Sequence, residues 1–168
     1  MALIGPSLFA ESLPSLAKAC APNADYRSLQ AIVMTESSGR PWAISINRPE
    51  HSARERRLNG RLFLDRQPTS KVQAERWAKR MLADHYTLSI GLMQVSTESG
   101  YSVEELLDPC RNLQIGWKIF CDKYREAWKR LPENRAIWAA ISMYNSGDSK
   151  TGLQNGYVSR VLANARRY

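Results

Sequence analysis

The chain is poor in the residues that build metal centres and has none of the runs that build membrane spans. It carries three cysteines and two histidines in 168 residues. Cys20, Cys110, Cys121, His51 and His85 fall at no metal-ligand spacing, so no metal site is expected. No apolar run approaches the roughly 20 residues that cross a bilayer, so no integral membrane span is expected. Low-complexity tracts and internal repeats are also missing, which leaves an independently folding domain as the reading. The opening "MALIGPSLFAES" has an apolar stretch but no positively charged start. Residues 1–12 therefore read as a flexible N-terminus or the remnant of a secretory signal. Acidic residues are outnumbered, 16 against 24 basic ones, for a formal charge of +8. That balance favours an anionic partner, whether nucleic acid, acidic membrane or acidic polymer. Nucleic acid is the weak choice, because no zinc finger, RNA-binding aromatic motif or heptad array accompanies the charge. The densest basic run, "ARERR" at 53–57, reads as a solvated loop.

What the chain does have is helical periodicity. At this length it is expected to form one domain over residues 1–168 with a real core. A short helix is expected around 12–20, and a second one after Asp25, whose carboxylate can cap it. Residues 43–69 lose the helical pattern and form an insert, in which Asn59-Gly60 between "RRL" and "RLFL" suggests a small hairpin. Ser70 with Gln73 and Ser102 with Glu105 read as capping boxes, and Asp108-Pro109 opens the longest helix. That helix carries a stripe of Leu113, Trp117, Phe120, Cys121, Tyr124 and Trp128, all read as core. Asn134 is the expected cap of the next helix, and the last one runs from about Gly156 to Arg167. Between them "SIGLMQVSTESGY" reads as turn-rich chain. The fold class is mainly α with a small β-hairpin or irregular insert. Cys20 and Cys110 both sit near helix ends beside prolines and could bridge in an oxidising compartment.

One stretch does not fit a plain core helix. In "VMTESSGRPWAIS", Glu36 continues the apolar stripe of Leu29, Ile32 and Val33, and Ser37, Ser38, Gly39 and Pro41 stop the helix at once. A glutamate at a helix end is ordinarily solvated. Here the helix dipole and apolar neighbours both disfavour the charged form, which is the setting of a carboxyl kept protonated to serve as a general acid. The stretch "YNSGD" at 144–148 repeats the theme, with polar groups on an apolar stripe just before a stop.

Four stretches stand in order: "ESSG" at 36–39, "GLMQ" at 91–94, "AAISMYNSG" at 139–147 and "GYVSRV" at 156–161. Together they resemble the soluble lytic transglycosylases, helical enzymes of lysozyme-like fold that cleave peptidoglycan glycan strands. "LAKACAPN", "YTLSIGLMQVS", "LLDPCRNL" and "YNSGDSKTGLQNGYVSRV" narrow the resemblance to the specialised transglycosylases of type IV secretion and conjugation machines, from about residue 14 to the C-terminus. One departure is the second serine, Ser38, where the family motif is most often Glu-Ser-Gly.

The resemblance implies a single catalytic carboxyl, Glu36, with no second carboxylate, metal or cofactor. It implies a periplasmic enzyme whose partners are glycan strands and subunits of a secretion or conjugation apparatus. Tyr144 and Tyr157 match the tyrosines that line the site. Met93 would offer an apolar surface to a sugar ring, Gln94 would hydrogen-bond sugar groups, and Asn145 would orient the loop or a sugar. Gly91 would let the backbone approach the substrate, Ser37 would support Glu36, and Gly39 and Gly147 would act as helix stops. Two rivals stand beside this reading. A hydrolytic muramidase of the same fold would need a second carboxylate, for which Glu50, Asp65, Glu98 and Asp148 are candidates. A catalytically idle wall-binding or assembly protein would bind without cutting.

Overall fold

The computed structural model describes residues 12–47, 61–64 and 66–167. In chain order the elements are α1 (Leu13–Cys20), α2 (Tyr26–Glu36), β1 (Ile44–Asn47), β2 (Arg61–Phe63), α3 (Lys71–Ala83), β3 (Thr87–Ile90), β4 (Val95–Ser96), α4 (Val103–Leu106), α5 (Pro109–Trp128), α6 (Glu133–Ser146), α7 (Thr151–Gln154) and α8 (Tyr157–Arg167), with a 3-10 turn at Thr97–Ser99. The expected mainly helical fold with a small β element is the one the chain adopts.

The helix starts are written locally. Asp25 accepts from the Ser28 N–H at 3.0 Å, and Asp108 accepts from the Arg111 N–H at 2.8 Å, one residue before Pro109. Ser102 and Glu105 form a complete capping box. At α3 only half of the expected box closes. Ser70 caps the Gln73 N–H, but the Gln73 side chain reaches the N–H of Thr69 instead of that of the cap residue. Asn134 caps nothing, because Pro132 already takes the cap position and places Asn134 inside the helix. The expected core stripe of α5 is only partly inside: Trp128 is 51% exposed and Cys121 only half-buried, while Ala127 takes the buried position in the last turn, against Ala136 and Ala139 of α6.

The sheet is antiparallel in the order β2, β1, β3, β4. Ile44 pairs with Ile90 and Ser45 with Ser89, so one face is apolar and the other polar. Residues 61–63 pair with 45–47; the Asn59-Gly60 turn lies outside the described residues, as do residues 1–11. The stretch read as turn-rich is a hairpin of β3 and β4 joined by Gly91–Gln94. Its strands, four and two residues long, are too short to show alternation.

One core links all of this: Leu16 and Ala17 of α1, Leu29, Ile32 and Val33 of α2, Ile44, Leu88 and Ile90 of the sheet, Leu113 and Phe120 of α5, and Tyr157, Val158 and Val161 of α8. Helix α5 packs along α6 and α1, and α2 packs along α8. Cys20 and Cys110 are joined by a disulfide, tying the end of α1 to the start of α5.

Candidate active site

Glu36 is the last residue of α2 and is 3% exposed. Its stripe position carries it inward, beside Val33, and the chain leaves the helix immediately after it. The exit uses two left-handed residues in succession, Ser38 at φ 55° and Gly39 at φ 77°. The additional serine thus takes a conformation that glycine adopts more readily.

Tyr157, the first residue of α8, donates its hydroxyl to Glu36 Oε1 at 2.6 Å in a buried contact. The packing of α8 on α2 brings the two together, and the Asn164 amide donating to Thr35 Oγ1 at 2.9 Å fixes their register. The start of α8 is itself held. Asn155 donates to Asn145 Oδ1 and accepts from the Tyr157 N–H, each at 2.9 Å. Asn145 is thus linked through Asn155 to the start of α8 and the Tyr157 N–H. Ser142 anchors the same loop by donating to the Asp148 carbonyl and accepting from the Gly152 N–H, both at 2.8 Å.

The Gly91–Gln94 turn closes the other side. Ser37 donates to the Leu92 carbonyl at 2.8 Å, and Tyr144 donates to the Met93 carbonyl at 2.7 Å. Ser37, Tyr144 and the turn thus converge beside Glu36. The roles expected for three turn side chains change. Met93 is wholly buried against Gly116, where an added Cβ would stand 2.5 Å from Met93 Cβ, so its thioether is core. Gln94 turns its amide inward, donating to the carbonyls of Ala43 and Gly91 and accepting from the Ser45 hydroxyl at 2.7 Å. Gly91 is required by Asn112: at φ 84° its Cβ would lie 2.3 Å from Asn112 Nδ2. These residues build the turn, whose Leu92 and Met93 carbonyls accept from Ser37 and Tyr144. Gly147 is the left-handed cap of α6, as expected.

Asn112, Ser142 and Asn155 were not legible as site-building residues. The available signal was a polar residue, Asn112, on the inner face of α5 one turn before Gly116. Of the candidate second carboxylates, Glu50 and Asp65 lie outside the described residues, and Glu98 and Asp148 are exposed. Asp148 accepts from the Lys150 and Thr151 N–H groups at 2.8 Å; together with the Thr151 hydroxyl they hold its carboxyl down at about 2. Among the described residues no group of three or more His, Cys, Asp and Glu side chains could hold a metal ion, and no helix is long and apolar enough to cross a membrane.

The chain is 34% identical over 161 residues to the "Type IV secretion system protein virB1" of Brucella abortus, covering 89% of this chain and 62% of that protein. It is 27% identical over 166 residues to "Protein virB1" of Agrobacterium fabrum, covering 96% and 62%, and 26% identical over 150 residues to that of Rhizobium radiobacter, covering 87% and 57%. The chain spans about three fifths of the length of these relatives. No solved structure matches it significantly. The family described as "Transglycosylase SLT domain" matches residues 14–165, and the chain belongs to that family.

Proposed function

We propose that the chain is a peptidoglycan lytic transglycosylase of the periplasm that opens the wall locally for a type IV secretion or conjugation apparatus. The observation that carries this reading is Glu36 itself, a buried carboxyl at a helix end held by the Tyr157 hydroxyl at 2.6 Å, within a chain of the transglycosylase family. Protonated Glu36 donates to the glycosidic oxygen between N-acetylmuramic acid and N-acetylglucosamine. The bond from muramic C1 to that oxygen breaks, and the glucosamine leaves with a 4-hydroxyl. The substrate's own 2-acetamido oxygen shares the positive charge at C1. Glu36, now ionised, takes the proton of the muramic C6 hydroxyl as that oxygen attacks C1, closing a 1,6-anhydro ring and restoring the acid. No water is consumed.

The residues around Glu36 have matching tasks. Tyr157 orients the carboxyl through one oxygen. Tyr144 and Ser37, both seated on the Gly91–Gln94 turn, form the wall against which the sugar lies. The formal charge of +8 draws in a polymer whose stem peptides carry carboxylates. The secretion role rests on the names of the relatives.

The test is digestion of purified peptidoglycan by the wild type and Glu36→Gln, with released muropeptides identified by mass spectrometry. Wild-type products lighter by one water, with anhydromuramic ends, and no release by a folded Glu36→Gln support the mechanism. Reducing ends would make the protein a hydrolase. No release by the wild type would leave a wall-binding assembly protein.

A further inference from the structure

Asn112 sits in the first turn of α5 with no exposed surface, and each of its polar atoms is engaged. Nδ2 donates to the carbonyls of Ile90 and Leu106 at 2.8 and 2.9 Å, and Oδ1 accepts from the Met93 N–H at 2.8 Å. One side chain therefore ties the end of β3, the end of α4 and the Gly91–Gln94 turn to α5. Gly91 leaves it the space, since a Cβ there would collide with its amide, and Gly116 leaves the space for Met93.

The Met93 N–H and the Leu92 carbonyl belong to the same planar peptide unit. Asn112 grips the nitrogen end of that plane, and Ser37, the residue after Glu36, donates to its oxygen end at 2.8 Å. The next peptide plane is held in the same way. Its oxygen, the Met93 carbonyl, accepts from Tyr144, while its Gln94 N–H donates to the Gly91 carbonyl at 3.2 Å. A rotation of the first plane breaks the Asn112 and Ser37 bonds together, because a peptide unit turns as one body. It also moves the Met93 carbonyl on which Tyr144 rests.

We infer that Asn112 is a positioning residue for Glu36 chemistry, acting through the Leu92–Met93 peptide to set Ser37 and Tyr144. The inference rests on the wall-cleaving reading of the site. Its chemistry demands an asparagine: an aspartate keeps the acceptor for Met93 but aims an unprotonated oxygen at two carbonyls, and an alanine leaves three buried polar groups without this partner.

The experiment is a double-mutant cycle in wall cleavage with Asn112→Asp and Ser37→Ala, at a temperature where circular dichroism shows each variant folded. Asn112→Asp is expected to lower kcat at least tenfold with KM within about threefold, and the double variant to be far less impaired than the product of the single losses, since both act on one peptide plane. Leu16→Ala, a core truncation in α1, is the stability control and should keep wild-type kcat in its folded fraction. A folded Asn112→Asp with wild-type kcat, or multiplicative losses, would overturn the inference while wall cleavage by the wild type stands. A wild type that releases no fragments would overturn the function beneath it. Should Asn112→Asp not fold, the Asn112 side-chain amide resonances are followed in Ser37→Ala. Displacement of these signals supports coupling through the peptide, and unmoved signals overturn it.

Discussion

The Tyr157 hydroxyl meets Glu36 Oε1 at 2.6 Å across 121 positions of sequence. The start of α8 thus completes a site begun at the end of α2, and the packing between those two helices is a condition of activity. Tyr157→Phe keeps the ring in the core and deletes only this bond. Wall cleavage should fall about 10- to 100-fold, the range of one well-placed polar contact at a reacting group, and stability should drop by about 1–3 kcal/mol. Muropeptide release rates and urea denaturation check the two effects. An unchanged rate would remove Tyr157 from the chemistry.

Gly91 and Gly147 both have left-handed backbones, at φ 84° and 80°, but only Gly91 is packed. An alanine at 147 meets nothing within 4 Å, whereas one at 91 meets Asn112 and the Leu106 carbonyl. Gly147→Ala should cost about 1 kcal/mol, the conformational term alone, and Gly91→Ala about 3 kcal/mol or more, with overpacking added. Chemical denaturation of the two variants side by side settles the order. Equal losses would mean that the turn yields to the added methyl.

The Cys20–Cys110 bridge closes a loop of 90 residues. Cys20→Ser should lower stability by about 2–5 kcal/mol, the usual cost of losing a native disulfide. Non-reducing peptide mapping of the wild type should recover the linked pair, with Cys121 as the remaining thiol. A wild type with three free thiols after expression in an oxidising compartment would refute the bridge.

Asp148 supplies an acid-sensitive lock on the loop leading to Tyr157. Its folded carboxyl stands at about 2, below the ordinary 3.8, because the Thr151 hydroxyl and then the Thr151 and Lys150 N–H groups favour its charged form. A depressed acid stabilises the fold above its unfolded value and ceases to do so as pH falls through the folded one. Its contribution should therefore be whole above about pH 5 and disappear between about pH 4 and 2. The Thr151 amide shift should titrate with a midpoint near 2 in the wild type and show no such step in Asp148→Asn. A midpoint near 4 would mean that these bonds do not hold in solution.

Much of this protein was legible because its signals are local. Asp25, Ser102 with Glu105, Asp108-Pro109 and Gly147 act on backbone groups within four residues, so their chemistry announces the ends they cap. The inward direction of Glu36 was legible for the same reason, since 3.6-residue periodicity places it on the stripe of Leu29, Ile32 and Val33. Where two local signals competed, as Pro132 and Asn134 did, the nearer constraint on the backbone won.

The roles inside the Gly91–Gln94 turn were not legible, because they depend on partners remote in sequence. Nothing in "GLMQ" says that Met93 faces Gly116, that Gln94 bonds Ser45, or that the useful atoms are the Leu92 and Met93 carbonyls. The sequence by itself determined the helices, their ends and the carboxyl that one of them carries inward. The tertiary structure alone decided which hydroxyl reaches that carboxyl and which carbonyls seat its neighbours. Periodicity fixes a side chain's direction relative to its own helix, and only the docking of separate elements fixes what it meets.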